Sequence, residues 1–176
     1  GQVAGTPSMR MSEVQAGGGH SCGIEQGSGQ LYCWGWSDAW QGLSPTCNPQ
    51  GAAVSKVTAG NSHTCVLSPH GGTAECCGVD DHAQARAPAH SMTAIAAGWK
   101  HSCGIRTDQS ILCWGITGSN SDNYGQVEDA PGSGVFVSLS ASDSHNCAID
   151  TAGRIQCWGR NHLDQATPPA TTGFVQ

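Results

Sequence analysis

The hydrophobic and polar positions of this chain repeat in four similar units, each about 40 residues long. Each unit contains an alternating segment of the form His-x-Cys-x-Ile/Leu, followed about ten residues later by Cys-Trp-Gly or, once, Cys-Cys-Gly. A short run rich in turn-forming residues, such as Gln-Gly-Ser-Gly at 26–29, separates the two segments. Two alternating segments joined by such a turn predict one β-hairpin in each unit.

The aligned residues fix the register of the repeats. The histidines are His20, His63, His101 and His145, and a glutamine closes each unit at Gln41, Gln84, Gln126 or Gln165. A lone hairpin is marginally stable in water and has to pack against neighbours, and a repeat of this length built from hairpins is typical of propeller blades. The sequence therefore predicts a single all-β, β-propeller-type domain over residues 1–176, with repeats near 12–48, 55–84, 93–126 and 137–165.

The repeated pattern Ala-Gly-x-x-His-Ser-Cys-x-Ile, then Cys-Trp-Gly, then Gly-Gln, resembles the repeat of the regulator of chromosome condensation family. The short period brings it nearest to the compact secreted relatives, such as the propeller-type β-lactamase inhibitory protein. The resemblance spans nearly the whole chain and implies propeller blades. It implies little about a partner, because one fold serves many functions.

The ten cysteines fit a disulfide framework. Each hairpin carries one cysteine on each arm, and such residues lie opposite each other, close to disulfide reach. The predicted pairs are Cys22–Cys33, Cys65–Cys76, Cys103–Cys113 and Cys147–Cys157. Disulfides of this density indicate an oxidising compartment, so the chain is expected to be secreted or displayed on the cell surface.

Two cysteines stand outside the hairpin pairs. Cys77 occupies the position of the tryptophan in the other units, and Cys47 lies in the linker after the first hairpin. A fifth bridge, Cys47–Cys77, is the prediction. The alternative is a zinc site using Cys76, Cys77 and His63, but hairpin pairing accounts for eight cysteines at once, so neither a metal nor a cofactor is expected.

Composition and charge narrow the partners. The chain has 7 Lys and Arg against 13 Asp and Glu, a net charge of −6, and its basic residues never cluster. A phosphate backbone would be repelled, so nucleic acid is an unexpected partner, and the exchange-factor role of the nuclear family members is not supported. No run of roughly 18 apolar residues is present, so membrane insertion is not expected.

Residues that recur in every unit are expected to serve the repeat. Each aligned histidine is interpreted as capping or hydrogen-bonding the same blade strand, with a metal or acid–base role as the alternative. The tryptophans of Cys-Trp-Gly are expected to form core between blades, with each indole N–H reaching a buried acceptor. They are Trp34, Trp114 and Trp158.

Residues that interrupt the repeat are the candidate binding residues. They are Trp36, Trp40, Trp99, Tyr124, Asp80 and Asp81. Exposed aromatic side chains anchor many interfaces, and carboxylates in loops can hold sugars or calcium. No catalytic signature is present, so the chain is expected not to be an enzyme.

The predicted function is a non-enzymatic extracellular module for protein binding, or a structural subunit of a surface assembly, including a fibril. A carbohydrate-binding lectin and a secreted enzyme inhibitor or hydrolase are the alternatives. A protein partner or self-assembly is favoured over a glycan. Four repeats leave three arrangements open: a closed ring, a part of a longer array, or an open arc completed by another copy.

Overall fold

The computed structural model describes residues 9–35, 51–69 and 72–169, and these residues form four three-stranded antiparallel sheets without a helix. The first sheet contains β1 (Met11–Ala16), β2 (His20–Glu25) and β3 (Leu31–Gly35), and the second contains β4 (Lys56–Ala59), β5 (His63–Leu67) and β6 (Ala74–Gly78). The third contains β7 (Met92–Ala97), β8 (His101–Arg106) and β9 (Ile111–Gly115), and the fourth contains β10 (Phe136–Ala141), β11 (His145–Asp150) and β12 (Ile155–Gly159). The all-β, four-blade prediction is confirmed.

Each sheet contains the predicted hairpin and one further strand that the hairpin prediction missed. The first strand of each sheet pairs antiparallel with the strand that carries the histidine, so the order in every sheet follows the chain. These strands are short and mix small, polar and aliphatic residues, as in the Ser-Leu-Ser-Ala end of β10. Such segments carry little alternation, which is why periodicity alone did not identify them.

The hairpin register places the paired cysteines directly opposite each other. Cys22 faces Cys33 and Cys103 faces Cys113, with Cα–Cα distances of 4.0 Å in both pairs. The other two predicted hairpin bridges are also present, at Cα–Cα distances of 4.1 Å. Each bridge therefore fastens the second strand of a sheet to the third. Cys77 is disulfide-bonded as well, while its predicted partner, Cys47, lies outside the described residues.

The hydrophobic core is divided into three clusters, one at each junction between successive sheets. At the junction of the third and fourth sheets, Cys103, Ile105 and Ile111 pack against Ala148 and Trp158. The two earlier junctions are built in the same way, from the cysteine–aliphatic face of one sheet and the opposite face of the next. Stability therefore depends on contact between neighbouring sheets, as expected for a repeat architecture.

The first strands of the four sheets lie side by side and line a groove of about 380 Å³. Its walls are mostly alanine, serine, threonine and aliphatic side chains, and an ion pair between Lys56 and Glu13, with 3.9 Å between Nζ and Oε2, lies at its first-sheet end. At one end of the groove the turns between first and second strands converge, from Gly17 on the first sheet to Asp143 on the fourth. This end is the edge on which the candidate binding residues lie.

Candidate functional site

The recurring histidines connect neighbouring sheets. The Nε2 atom of His20 lies 2.6 Å from the hydroxyl of Thr64 on the second sheet. The same atom of His63 lies 2.8 Å from the hydroxyl of Ser102 on the third sheet, and that of His101 lies 2.8 Å from Oδ1 of Asn146 on the fourth. Each bond therefore reaches the next blade, whereas the sequence interpretation placed it on a blade strand without identifying a junction.

The partners of Ser102 determine which nitrogen of His63 carries the proton. The Ser102 hydroxyl donates its only proton to the main-chain carbonyl of Gln84, at 3.1 Å. It must therefore accept from His63, so His63 carries its proton on Nε2. Nδ1 of His63 is buried and has no hydrogen-bond partner among the described residues, and it has to remain unprotonated to avoid stranding a donor.

Burial lowers the pKa of His63 from 6.5 to about 4, and the neighbouring His101 and His20 lower it further, against a smaller opposing effect of Asp80. Burial also lowers the pKa of His20 and of His101. A neutral, inward-facing imidazole whose free nitrogen meets protein is poorly suited to acid–base catalysis or to a metal. Each histidine is a structural link between two sheets.

The glycine of the Ala-Gly-x-x-His pattern makes room for this ring. A Cβ atom at Gly60 would lie 2.6 Å from Cε1 of His63 and 2.5 Å from the carbonyl oxygen of Gly98 on the next sheet. Any side chain there would push both the imidazole and the neighbouring backbone away. The fourth repeat has Ser142 at this position, where no further sheet follows among the described residues.

The glutamine that closes one repeat receives the next repeat. The indole N–H of Trp114 donates to the carbonyl of Gln84 at 3.0 Å, and that of Trp158 donates to the carbonyl of Gln126 at 2.9 Å. Both tryptophan side chains are buried. The side-chain amide of Asn146 donates to the same Gln126 carbonyl at 3.1 Å. The repeated residues therefore form one polar network at each of these junctions.

Two of the candidate binding residues lie on a connected, exposed surface of the third and fourth sheets. Trp99 is 39% exposed in the turn between β7 and β8, and Nζ of Lys100 lies 4.6 Å from the centre of its ring. The same ammonium is ion-paired with Asp122 at 2.6 Å. The backbone N–H of Trp99 donates to the carbonyl of Asp143 at 3.1 Å, which fixes this turn to the fourth sheet.

Tyr124 continues the surface in the loop that follows β9. Its ring is 36% exposed, and the guanidinium of Arg160 lies 5.0 Å from the ring centre. Its backbone N–H donates to Oε1 of Gln126 at 2.6 Å, while Nε2 of Gln126 donates to the carbonyl of Asp122. We call Trp99, Lys100, Tyr124 and Arg160 the aromatic–cation patch. The sequence prediction contained its two aromatic residues but not the two cations that hold them.

Asp80 and Asp81 occupy the corresponding loop after the second sheet. Oδ1 of Asp80 accepts the N–H of Ala85 at 3.0 Å, and Oδ2 is ion-paired with Nε of Arg86 at 2.6 Å. Asp81 is exposed beside it. The carboxylate of Asp80 is therefore committed to its own turn, and neither residue joins the aromatic–cation patch. Trp36 and Trp40 lie outside the described residues.

Among residues 9–35, 51–69 and 72–169, no group of three or more His, Cys, Asp or Glu side chains is placed to hold a metal ion. The same part of the chain contains no helix long and apolar enough to cross a bilayer.

The fold and the exposed patch define this protein as a propeller-type binding or scaffolding module. Its third and fourth repeats match the regulator of chromosome condensation (RCC1) repeat over residues 92–126 and 136–165. The chain therefore carries RCC1-type repeats, as the sequence pattern predicted. A nearer relationship to the compact secreted inhibitory proteins stays a prediction.

Solved structures with a similar fold include two receptor ectodomains. The entire ectodomain of the Physcomitrella patens receptor kinase CR4 is 25% identical with a TM-score of 0.78, over 97% of this chain and 47% of that one. The CRINKLY WD40 ectodomain of the Arabidopsis thaliana receptor kinase ACR4 is 24% identical with a TM-score of 0.72, over 86% and 51%. Prp20p from Saccharomyces cerevisiae is 15% identical with a TM-score of 0.67, over 90% and 47%.

This chain spans about half the length of each of these structures. At 15% and 24% identity the likeness shows the fold alone. The ectodomain structures and the four hairpin disulfides are together typical of an extracellular protein.

Proposed function

We propose that this chain is a secreted, non-enzymatic module that binds a protein partner through the aromatic–cation patch. The observation that carries the proposal is the exposure of Trp99 and Tyr124 on one surface, each beneath a basic side chain. Tryptophan, tyrosine and arginine are the residue types most enriched at the energetic centres of protein interfaces.

The patch is ordered before any partner arrives. Each cation–π contact is worth about 0.5–1 kcal/mol at an exposed site, and the ion pair of Lys100 with Asp122 restrains one of them further. The disulfide-fastened sheets below limit backbone movement. A surface held in this way loses little conformational entropy on binding, which favours affinity.

The charges of the patch indicate the kind of partner. Lys100 is neutralised by Asp122, whereas Arg160 has no carboxylate within ion-pair distance among the described residues. The partner is therefore expected to offer an apolar surface to Trp99 and Tyr124 and an acidic group to Arg160. A similar structure adds support, since Prp20p has binding properties toward Gsp1p and histones, which are proteins.

A glycan is the second candidate, because the rings of Trp99 and Tyr124 could stack on a sugar. Lys100 and Arg160 each lie over one face of a ring, so only the opposite faces are available for stacking. This geometry favours the protein partner.

The test compares the disulfide-intact protein with the double variant Trp99→Ala/Tyr124→Ala. Both are immobilised and exposed to extracellular fluid and detached surface proteins from the source organism, and retained proteins are then quantified. Leu163→Ala is the matched control: Leu163 occupies the position of Tyr124 in the fourth repeat, is 75% exposed and lies outside the patch.

A partner retained by the native protein and by Leu163→Ala, but lost with the double variant, supports the proposal. Equal retention by all three proteins contradicts it. Binding of the native protein to a glycan array, lost in the double variant, would instead favour the lectin.

A further inference from the structure

The fourth sheet presents the face that receives the next blade at the other junctions. On the third sheet, Ile105 and Ile111 are 1% and 6% exposed because the fourth sheet covers them. Their counterparts on the fourth sheet, Ile149 and Ile155, form the same register pair but are only partly buried. No further sheet follows among the described residues.

Polar groups on this face are also left without the partners that their counterparts have. The side chain of His145 makes no hydrogen bond to any described residue, whereas the other three aligned histidines each reach the next sheet. The main-chain carbonyl of Gln165 likewise accepts no hydrogen bond within the described part of the chain. Its counterparts, the carbonyls of Gln84 and Gln126, each accept two.

The opposite face of the first sheet carries the complementary residues. Val14 corresponds to Leu139, which packs into the junction of the third and fourth sheets, and Val14 is 61% exposed. Ser21 corresponds to Ser102 and Asn146, the acceptors of histidine N–H groups. Trp34 corresponds to Trp158, whose indole donates to a glutamine carbonyl.

We propose that the fourth sheet of one copy of this chain binds the first sheet of a second copy, in the geometry of the internal junctions. His145 of one copy would donate to the hydroxyl of Ser21 of the other, and Trp34 would donate to the Gln165 carbonyl. Ile149 and Ile155 would be covered together with Val14. The contact goes beyond the proposed patch function and does not depend on it.

One residue sets the strength of this contact. The internal junctions have glycine where the fourth repeat has Ser142, and a Cβ at Gly17 or Gly60 would crowd the carbonyl oxygen of the following sheet. The Cβ of Ser142 would crowd the Gly17 carbonyl of the second copy in the same way. The contact between copies is therefore weaker than the internal junctions and depends on concentration.

The experiment is sedimentation equilibrium of the disulfide-intact protein over a wide concentration range. The native protein should rise from the monomer mass of 18.0 kDa to at least twice that value. Val14→Arg and Ile149→Arg should each remain monomeric, because each places a charge on one of the two faces. Val135→Arg is the control, since Val135 is 45% exposed at the internal junction of the third and fourth sheets.

Mixing the two monomeric variants tests the head-to-tail arrangement. Ile149→Arg retains an intact first sheet and Val14→Arg retains an intact fourth sheet, so the mixture should form a dimer that neither forms alone. Only folded proteins can do so, which guards against loss by misfolding. Ser142→Gly should tighten self-association by about tenfold.

Native protein that stays at the monomer mass up to its solubility limit would overturn the proposal. So would a mixture of the two arginine variants that remains monomeric while the native protein associates, because that outcome indicates a face that pairs with itself. A Ser142→Gly variant that associates no more tightly than the native protein would also contradict it.

Discussion

Nε2 of His63 donates to the hydroxyl of Ser102 on the next sheet, across 2.8 Å, and that hydroxyl donates in turn to the carbonyl of Gln84. Three groups from two sheets are thus satisfied by one buried serine, which is 0% exposed. The network explains why the residue after each aligned histidine is serine, threonine or asparagine. All three side chains can accept from a histidine.

Ser102→Ala should therefore destabilise the protein by about 1–3 kcal/mol, because it leaves the Nε2 donor of His63 buried without an acceptor. Denaturant unfolding with intact disulfides measures this change. Ser21→Ala is the matched control: Ser21 holds the same position on the first sheet and receives no histidine within the described part of the chain. It should shift the free energy of unfolding by less than about 0.5 kcal/mol at low protein concentration. Equal losses in the two variants would show that the network contributes nothing.

Stability should fall as the pH is lowered through the titration of the unfolded histidines. The pKa of His63 is about 4 in the folded protein and 6.5 in the unfolded chain, so the unfolded state binds the proton first. The stability that depends on a neutral His63 is complete above pH 6.5 and declines between pH 6.5 and about pH 4. His20 and His101 add to the decline, because burial lowers their pKa as well.

From about pH 7.5 to about pH 5 the contribution of His63 alone is about 2 kcal/mol. The free energy of unfolding in urea, measured at intervals of pH, tests this expectation. His63→Gln should be less stable at neutral pH but should depend less on pH over this range. An unchanged pH dependence in that variant would show that His63 is not buried in its neutral form.

The residues that made the fold predictable are those repeated four times. Cys22 and Cys33 could be paired because the hairpin spacing places them on facing strands, and the same spacing recurs in every unit. The first strand of each sheet was harder to recognise, since β7 reads Met-Thr-Ala-Ile-Ala-Ala and its side chains divide between the groove and the junction. Hydrophobic alternation is weak where neither face is open water.

The candidate site was predictable only in part. Trp99 and Tyr124 stood out because they depart from the repeat, but 25 residues separate them in the chain. Lys100 and Arg160 carried no comparable signal, since their contacts depend on how the third and fourth sheets pack. The inter-sheet role of the histidines was hidden for the same reason. A repeat pattern shows that a residue serves every unit, but it does not show which unit receives the bond.

The glycine beside each histidine is expected to be indispensable at an internal junction. Gly98→Ser should destabilise the protein by about 1–3 kcal/mol, because a Cβ there meets the ring of His101 and the carbonyl of Ser142. The fourth repeat already carries serine at this position, so Ser142→Ala is the control and should leave the unfolding midpoint nearly unchanged. A Gly98→Ser protein as stable as the native one would contradict the close approach of the two sheets.

The residue before the closing glutamine has a left-handed backbone in the last three repeats, with φ of 63° at Ala83, 83° at Gly125 and 58° at Asp164. Of these, only the third repeat has glycine there, which adopts this conformation without strain. An alanine in this region costs about 1–2 kcal/mol, part of which is offset because glycine has more freedom in the unfolded chain. Ala83→Gly should therefore stabilise the protein by about 0.5–1 kcal/mol.

Thermal unfolding of Ala83→Gly beside the reverse change, Gly125→Ala, provides the measurement. Gly125→Ala should lower the melting temperature, both through backbone strain and because its Cβ would meet the carboxylate of Asp129. Opposite shifts in the two variants would show that the left-handed backbone governs the choice of residue before the glutamine. A lower melting temperature for Ala83→Gly would contradict this, because the methyl group of Ala83 would then contribute more to packing than the left-handed backbone costs.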